Sequence, residues 1–173
     1  MIETSRLRIS LITYADCEEV RLLHNDPATL VWLSNTQPVS KDEQKVWYTS
    51  LEQSMTSKRY VARGKTDSTL IGVFRFDKHD PKNMSAEVGL DIDPSMRRQG
   101  YAREIYLAMI PYFFSELSLN RLSLITLESN LPAISLYESL GFKREGVLRQ
   151  FFKRSEGYVD AFQYSLLASD SGY

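Results

Sequence analysis

The stretch of sequence that decides the fold reads Asp93-Pro94-Ser95-Met96-Arg97-Arg98-Gln99-Gly100-Tyr101-Ala102. An alternating apolar run before it predicts a strand, which the aspartate and proline end. An apolar stripe at helical spacing starts within it and continues to about Leu117. A loop with two arginines and a glycine therefore leads straight into a long helix. Because a helix amino terminus exposes unpaired N–H groups and Gly100 allows close approach, this arrangement suits a bound pyrophosphate.

The same loop has a plainer interpretation, as a strand-to-helix turn whose arginines lie on the surface. It lacks the G-x-G-x-x-G of a dinucleotide fold and the G-K-[ST] of a P-loop, which disfavours both of those sites. A nucleotide-binding domain that uses the loop for another diphosphate stays open. In the helix that follows, Pro111 should cause a kink or a loosening, because it removes one backbone donor.

A second stretch, from Asn130 to Phe142, predicts a short capped helix. Asn130 is a suitable N-cap, and Gly141 is well placed as the residue after the helix. Tyr137 lies on one face of this helix. Taken alone, the pattern is compatible with packing, because a tyrosine is more often part of a core than catalytic.

Alternation and capping patterns predict the remaining elements. Leu7, Ile9 and Leu11 alternate with polar residues as in a strand, and capping boxes at Thr13 and Ser40 predict two helices. The second helix is expected to bury its regularly spaced apolar residues, Val46, Trp47, Leu51 and Met55. Further strands are predicted at 60–62, 70–76, 86–92, 122–127, 142–148 and 159–166. This order indicates a mixed α/β fold with too few βαβ repeats for a barrel.

Length and charge exclude several classes of protein. The chain has 173 residues, with 21 Lys and Arg against 22 Asp and Glu, and a net charge of −1. This balance argues against a nucleic-acid binder or a polybasic membrane binder. No linker or repeat divides the chain, so we expect one domain over residues 1–168 and a short polar tail over residues 169–173.

Cysteine and histidine usage narrows the chemistry. Cys17 is the single cysteine, which excludes an intrachain disulfide and favours a reducing compartment. We interpret it as a packing residue, not as a nucleophile. His24 and His79 are too few for a metal site without carboxylates. No apolar segment reaches the roughly 20 residues of a membrane helix, and no signal peptide is evident. We therefore expect a cytoplasmic protein without a metal.

The neutral total hides a local separation of charge. Residues 85–95 hold three acids and no bases, whereas residues 97–103 hold three arginines and no acids. The first segment suits a cationic amine and the second suits a polyphosphate.

Two spaced motifs resemble those of the GNAT N-acetyltransferase superfamily. They are R-x-x-G-x-A, at Arg97, Gly100 and Ala102, and N-x-x-A-x-x-x-Y-x-x-x-G-F, at Asn130, Ala133, Tyr137, Gly141 and Phe142. The opening Glu3-Thr4-Ser5-Arg6-Leu7-Arg8 and the run Glu87-Val88-Gly89-Leu90 resemble the branch that acetylates ribosomal-protein amino termini. The resemblance covers Ile2 to Leu167. It implies a central, splayed, mostly antiparallel sheet flanked by four helices, in a family in which homodimers are common.

The resemblance implies acetyl-CoA as the cosubstrate. In this family the loop cradles the pyrophosphate through backbone N–H groups, and the pantetheine lies between two splayed strands. The residues thereby assigned to cofactor binding are Leu90, Asp91, Ile92, Asp93, Arg97, Arg98, Gln99, Gly100, Tyr101, Ala102, Arg103, Asn130 and Tyr137.

The resemblance also implies two catalytic residues. Tyr137 corresponds to the tyrosine that protonates the departing thiolate, and a phenol suits that role. Because an amine attacks a thioester only when neutral, a base is needed, and Glu87 is the best candidate. The alternative for Glu87 is an exposed strand carboxylate, or a charge that binds the acceptor without proton transfer.

Several acceptors stay open. The acceptor is expected to be a primary amine, either a protein amino terminus or a small molecule. The segments at 24–26 and 40–48 and the residue Trp32 also resemble nucleotide-linked amino-sugar N-acetyltransferases, and a polyamine is a further alternative. Aromatic residues that could form a pocket are Trp32, Trp47, Tyr48, Phe151 and Phe152. A non-catalytic acyl-CoA-binding module is the alternative from another class.

Overall fold

Eight strands form one sheet in the computed structural model, which describes residues 1–171. The strands are β1 Ile2–Glu3, β2 Leu7–Leu11, β3 Lys58–Gly64, β4 Leu70–Asp80, β5 Ser85–Ile92, β6 Arg121–Leu127, β7 Lys143–Arg154 and β8 Gly157–Leu167. Their order across the sheet is β1-β2-β3-β4-β5-β6-β8-β7. Each neighbouring pair is antiparallel except β5 and β6. The predicted mixed α/β fold with a mostly antiparallel sheet is confirmed.

The three helices predicted from caps at Thr13, Ser40 and Asn130 are present, and three others accompany them. They are α1 Cys17–Asn25, α2 Pro27–Leu30, α3 Lys41–Glu52, α4 Tyr101–Pro111, α5 Leu131–Ser139 and α6 Ala168–Ser171. In the capping box of α3, the backbone N–H of Ser40 donates to Glu43 at 2.8 Å. The backbone N–H of Thr13 donates to Asp16 at 2.7 Å, and a 3₁₀ turn there leads into α1. Four of these six helices, α1, α3, α4 and α5, are the longer ones, and α2 and α6 have four residues each.

The predicted buried face of α3 is wrong in two of its four residues. Val46 is 67% exposed, and Met55, 87% exposed, lies beyond the end of the helix. Gln44 and Tyr48 are buried instead. Together with the half-buried Trp47 and Leu51, these two residues have the spacing i, i+3, i+4, i+7. The buried face of α3 therefore begins at a polar residue, Gln44.

The two faces of the sheet carry separate cores. On one face, α4 covers the large cluster that contains Phe74, Phe76 and Phe113. On the other face, Val20 and Leu23 of α1 pack against a smaller cluster that includes Val73. Because neighbouring residues of a strand point to opposite faces, β4 contributes to both cores.

The sheet splits between β5 and β6. These parallel strands pair only at Ser85–Arg121, Ala86–Leu122 and Glu87–Ser123. Beyond Glu87 the edge of β5 that faces β6 has no ladder partner, so its backbone groups border an open cleft.

The loosening predicted at Pro111 is present, since the regular α-helix ends at this residue. Its own backbone stays helical, with φ −57° and ψ −41°. The next five residues, Tyr112–Glu116, form a π-helix, closed by a hydrogen bond of 3.3 Å from the Leu117 N–H to the Tyr112 carbonyl. Because the proline has no N–H, the helix continues with a wider turn.

The carboxy-terminal end of the described chain forms a helical turn. The segment predicted as a polar tail begins inside α6, and Lys143 Nζ lies 2.5 Å from Asp170 Oδ1. Residues 172 and 173 lie outside the described residues. Within residues 1–171, no helix combines the length and the apolar character needed to cross a bilayer.

Candidate active site

The loop before α4 presents a row of free backbone donors. No described residue accepts a hydrogen bond from the backbone N–H groups of residues 98–103. Gly100, the N-cap of α4, has φ +80°, and Arg98 has φ +61°. Left-handed residues in a turn aim successive N–H groups to one side, and the helix dipole adds positive potential there. The loop therefore fits a ligand with several anionic oxygens, such as a diphosphate.

The side chain of Arg97, predicted to bind the cofactor, is engaged within the protein. Its guanidinium donates to the carbonyl of Ile92 at 3.1 Å, to the carbonyl of Ala28 at 2.9 Å and to Thr29 Oγ1 at 2.9 Å. These bonds commit the side chain to holding the loop against α2. The neighbouring Arg98 is exposed and makes no ion pair with any described residue, so it is the arginine free to meet phosphate oxygens.

Arg6, which the motif analysis did not assign to the site, supports the loop from the other side. It donates to the Gln99 carbonyl at 3.0 Å and forms a 2.6 Å ion pair with Glu104 in the first turn of α4. Burial raises the pKa of Glu104, but hydrogen bonds from Thr4 and Arg6 outweigh it, so the pKa is lowered overall. Arg6 thus neutralises an acid that would otherwise repel an anion at this terminus.

Tyr137 lies in an aromatic cluster between α4, α5 and β8. It is 8% exposed, and its ring centroid is 5.8 Å from that of Tyr106 and 6.3 Å from that of Tyr164. Burial raises the pKa of Tyr137, whereas the Tyr106 hydroxyl and the Arg75 guanidinium lower it, and the net shift is upward. The phenol therefore keeps its proton at neutral pH, as a proton donor must.

Glu87 marks the point where the sheet splits. It belongs to the last paired register with β6, and its Oε2 lies 2.8 Å from Lys78 Nζ. Its side chain is on the same sheet face as Gly89 and Asp91, since all three alternate with the buried Ala86 and Val88. To accept a proton, the carboxylate would have to exchange this lysine for the attacking amine.

A pocket of about 500 Å³ lies on the α1 and α3 side of the sheet. Its apolar wall includes Leu23, Leu33, Val39, Val73 and Trp47, and its charged residues are Glu43, Arg59, Arg75 and Asp91. Of the five aromatic residues predicted to form a pocket, Trp47 lines this one. Sequence reasoning missed the two arginines, although an arginine between Phe74 and Phe76 in an apolar strand is an unusual residue.

Arg75 and Gly89 are cross-strand partners at the base of this pocket. A Cβ at position 89 would lie 2.6 Å from Nη2 of Arg75, so any other residue there would displace the guanidinium from its present position. The Nε atom of Arg75 lies 3.5 Å from Asp91 Oδ2. Asp91, predicted to flank the cofactor, thus points its carboxylate into the pocket.

The remaining candidates are placed as follows. Asn130 caps α5, its Oδ1 accepting from the Ala133 N–H at 3.3 Å, and Gly141 after the helix has φ +90°. Arg103 donates to Ser139 on α5.

Burial raises the pKa of Cys17, which disfavours a thiolate nucleophile. Over residues 1–171, no group of three His, Cys, Asp or Glu side chains is arranged to hold a metal ion.

A split sheet beside a loop that fits a diphosphate suits an acyltransferase whose acyl carrier bears a diphosphate. Residues 6–143 match the family described as the acetyltransferase (GNAT) domain. The chain belongs to this family and is an N-acetyltransferase, as the two motifs predicted.

Relatives and solved structures agree with this assignment. The uncharacterized N-acetyltransferase YoaA of Bacillus subtilis is 29% identical over 170 residues, which are 96% of each chain. The L-amino acid N-acetyltransferase AaaT of Escherichia coli is 28% identical over 149 residues, 85% of this chain and 89% of that one. The structure of a Vibrio cholerae spermidine N-acetyltransferase with CoA and spermine has a TM-score of 0.91 at 24% identity and covers 98% of this chain and 100% of that one. It shows that the fold is shared.

The predicted link to the ribosomal branch is found over part of the chain. A ribosomal protein bS18 alanine N-acetyltransferase of Escherichia coli is 35% identical over 78 residues, 43% of this chain and 50% of that one.

Proposed function

We propose that this N-acetyltransferase transfers the acetyl group of acetyl-CoA directly to a primary amine while both substrates are bound. The observation that carries the proposal is the row of free N–H donors at residues 98–103 beside the split between β5 and β6. The buried, high-pKa position of Cys17 supports direct transfer over an acetyl-cysteine route.

The residues assigned to the cosubstrate fit its parts. Acetyl-CoA supplies the activated thioester. The loop N–H groups of residues 98–103 would bind its diphosphate, with Arg98 adding charge. Residues 90–93 would flank the pantetheine, and a backbone N–H on the unpaired edge of β5 would polarise the thioester carbonyl. The amide nitrogen of Asn130 stays available to the cofactor arm, since only its oxygen is used in capping.

Two side chains would move protons in this reaction. Glu87 would accept a proton from the acceptor ammonium, directly or through water, after giving up Lys78. Tyr137 would donate its proton to the departing thiolate, and burial keeps it protonated until then. Arg97 would act by holding the loop in place.

Four classes of amine are candidate acceptors for this enzyme. A protein amino terminus, a small-molecule amine, a polyamine and a nucleotide-linked amino sugar are all primary amines. The spermidine N-acetyltransferases among the relatives support the polyamine alternative.

The test is release of free thiol from acetyl-CoA in the presence of peptides, amino acids, polyamines and amino sugars. We expect turnover with at least one class, and expect it to fall sharply in Glu87→Gln and Tyr137→Phe while CoA still binds. Tyr14→Phe, at an exposed tyrosine ahead of α1, is the matched control and should keep full activity. CoA binding without turnover on any amine would instead identify an acyl-CoA-binding module.

The same proposal includes a homo-oligomer in the cytoplasm. Exposed apolar residues on the β7–β8 hairpin, such as Val147, Phe151 and Tyr158, support self-association. A Vibrio cholerae spermidine N-acetyltransferase, 26% identical with a TM-score of 0.84, has been solved as a dodecamer. Light scattering on the purified protein would measure the number of subunits.

A further inference from the structure

We propose that the acceptor carries a carboxylate close to its amine, as an α-amino acid does, and that Arg75 binds this carboxylate while Asp91 faces the amine. The inference rests on the proposed N-acetyltransferase function and names the acceptor class of its pocket.

Arg75 has the unused donors that such an acceptor would need. No described residue accepts a hydrogen bond from its guanidinium, and its buried Nε has no partner of hydrogen-bonding geometry. The neighbouring Arg59, in contrast, donates to Asp77 at 2.8 Å and to the Lys58 carbonyl at 2.9 Å. The Arg75 side chain is 39% exposed, so its Nη donors are accessible to a molecule in the pocket, while the buried Nε lacks a partner of its own. An acceptor carboxylate would satisfy two donors at once.

The position of Arg75 is built into the sheet. Its guanidinium lies against the β5 backbone at Gly89, where an added Cβ would come within 2.6 Å of Nη2. Glu87, the proposed base, lies two residues before Gly89 on the same face of β5. A carboxylate held on Arg75 would therefore place the adjacent amine on the sheet face that carries the proposed base.

The charges of the pocket disfavour a polycation. Its lining holds two carboxylates, Glu43 and Asp91, and two arginines, of which Arg59 is paired with Asp77. Counted together with Asp77, these groups leave one surplus negative charge. A triamine that has lost one proton for attack still carries two ammonium groups, one more than this surplus can neutralise. A zwitterion matches the Arg75–Asp91 pair without surplus charge.

Two further polar side chains of the pocket have an atom without a hydrogen-bond partner. Gln44 is 6% exposed, and its Nε2 has no hydrogen-bond partner among the described residues. His24 Nε2 is likewise buried and unpartnered. An amide N–H₂ donates to acceptor oxygens and offers nothing to an ammonium group. The apolar wall next to them, with Leu33, Val39 and Trp47, suits an aliphatic or aromatic side chain.

The experiment compares matched amines that differ by one carboxylate. Methionine and phenylalanine are assayed against 3-(methylthio)propylamine, phenethylamine and spermidine, with acetyl-CoA and thiol detection. We expect kcat/KM for the amino acids to exceed that for their decarboxylated partners by about 10- to 100-fold, the usual effect of a charge-assisted pair. Equal or faster turnover of the decarboxylated amines or of spermidine would overturn the inference and leave the proposed function standing.

Variants separate recognition from folding. Arg75→Gln should raise KM for the amino acid by about 10- to 100-fold and leave KM for the decarboxylated amine nearly unchanged. Gly89→Ala, which displaces the guanidinium without removing it, should raise the same KM, and it replaces Arg75→Gln if that variant does not fold. Arg149→Gln, an exposed arginine of β7, controls for loss of charge. Equal KM changes for both amines would overturn the inference.

A binding measurement tests the inference even if the proposed function is wrong. If no amine is acetylated, isothermal titration calorimetry measures whether phenylalanine binds to the CoA-loaded protein. Saturable binding that Arg75→Gln abolishes supports the inference, whereas no binding overturns it.

Discussion

Tyr106 of α4 and Tyr137 of α5 meet edge to face, with ring centroids 5.8 Å apart and planes at 82°. Tyr106 is fully buried, and its hydroxyl makes no hydrogen bond of good geometry to a described residue. Burial raises the pKa of both tyrosines, so both hydroxyls stay protonated at neutral pH. Only Tyr137 belongs to the motif of the family. Phenylalanine variants of the two tyrosines can therefore be compared with each other.

Tyr137→Phe should lower kcat by about 100-fold, because the departing thiolate must then take its proton from water. Tyr106→Phe should lower kcat far less, because Tyr106 only adjusts the pKa of Tyr137, and it should change the free energy of unfolding by about 1 kcal/mol or less. Steady-state kinetics and urea unfolding measure both effects. Equal losses of kcat in the two variants would contradict the assignment of Tyr137.

Gly100→Ala should weaken CoA binding about fivefold and destabilise the protein by about 1 kcal/mol, because a non-glycine residue is strained at φ +80°. An added Cβ would meet Arg6 Nη2 only at 3.6 Å, so the loss would come from the backbone and not from a clash. Gly146→Ala is the control, since a Cβ there has no heavy atom within 4 Å. Calorimetric titration with CoA measures the difference, and equal affinity of the two variants would count against the loop.

Arg97→Gln should lower the stability of the protein, whereas Arg98→Gln should lower its affinity for CoA. Loss of the three Arg97 bonds to Ile92, Ala28 and Thr29 should lower the free energy of unfolding by about 2 kcal/mol. Arg98→Gln should change stability by less than about 0.5 kcal/mol. It should weaken CoA binding about fivefold, and more at low salt. Urea unfolding and CoA titration separate the two, and the reverse pattern would show that Arg97 is the phosphate ligand.

Glu145→Gln should lower the free energy of unfolding at neutral pH but not at strongly acidic pH. Hydrogen bonds from Arg121 lower the pKa of Glu145 from 4.5 to about 2, and Ser165 Oγ also donates to this carboxylate at 2.7 Å. A folded pKa below the unfolded one gives stability that is present above pH 4.5 and is lost as the pH falls towards 2. Because the pair is partly exposed, the variant should lose about 1 kcal/mol at pH 7 and nothing at pH 2. Glu156→Gln, exposed in the β7–β8 turn, is the control, and a pH-independent loss in Glu145→Gln would be the contrary result.

Local sequence signals predicted the elements and the loop well. Ser40 with Glu43, Asn130 before α5 and Gly141 after it act within one turn of the chain, where spacing alone determines the contact. The left-handed backbone at Gly100 belongs to the same kind of signal.

Contacts between distant segments could not be predicted. Arg97 and Arg98 are neighbours of equal charge, and only the packing of α2 against the loop makes one structural and leaves the other free. The place of Arg75 depends on its register with Gly89 across two strands, which a single sequence does not reveal. The face of α3 was mistaken because Gln44 is buried there despite its polarity.

The central claim, direct transfer from acetyl-CoA to an amine, is tested most directly by initial rates measured over a grid of both substrate concentrations. Direct transfer requires both substrates on the enzyme together, so the account predicts double-reciprocal plots that intersect. It also predicts no acetylated protein by mass spectrometry when the amine is left out. Parallel plots together with an acetylated protein would contradict it.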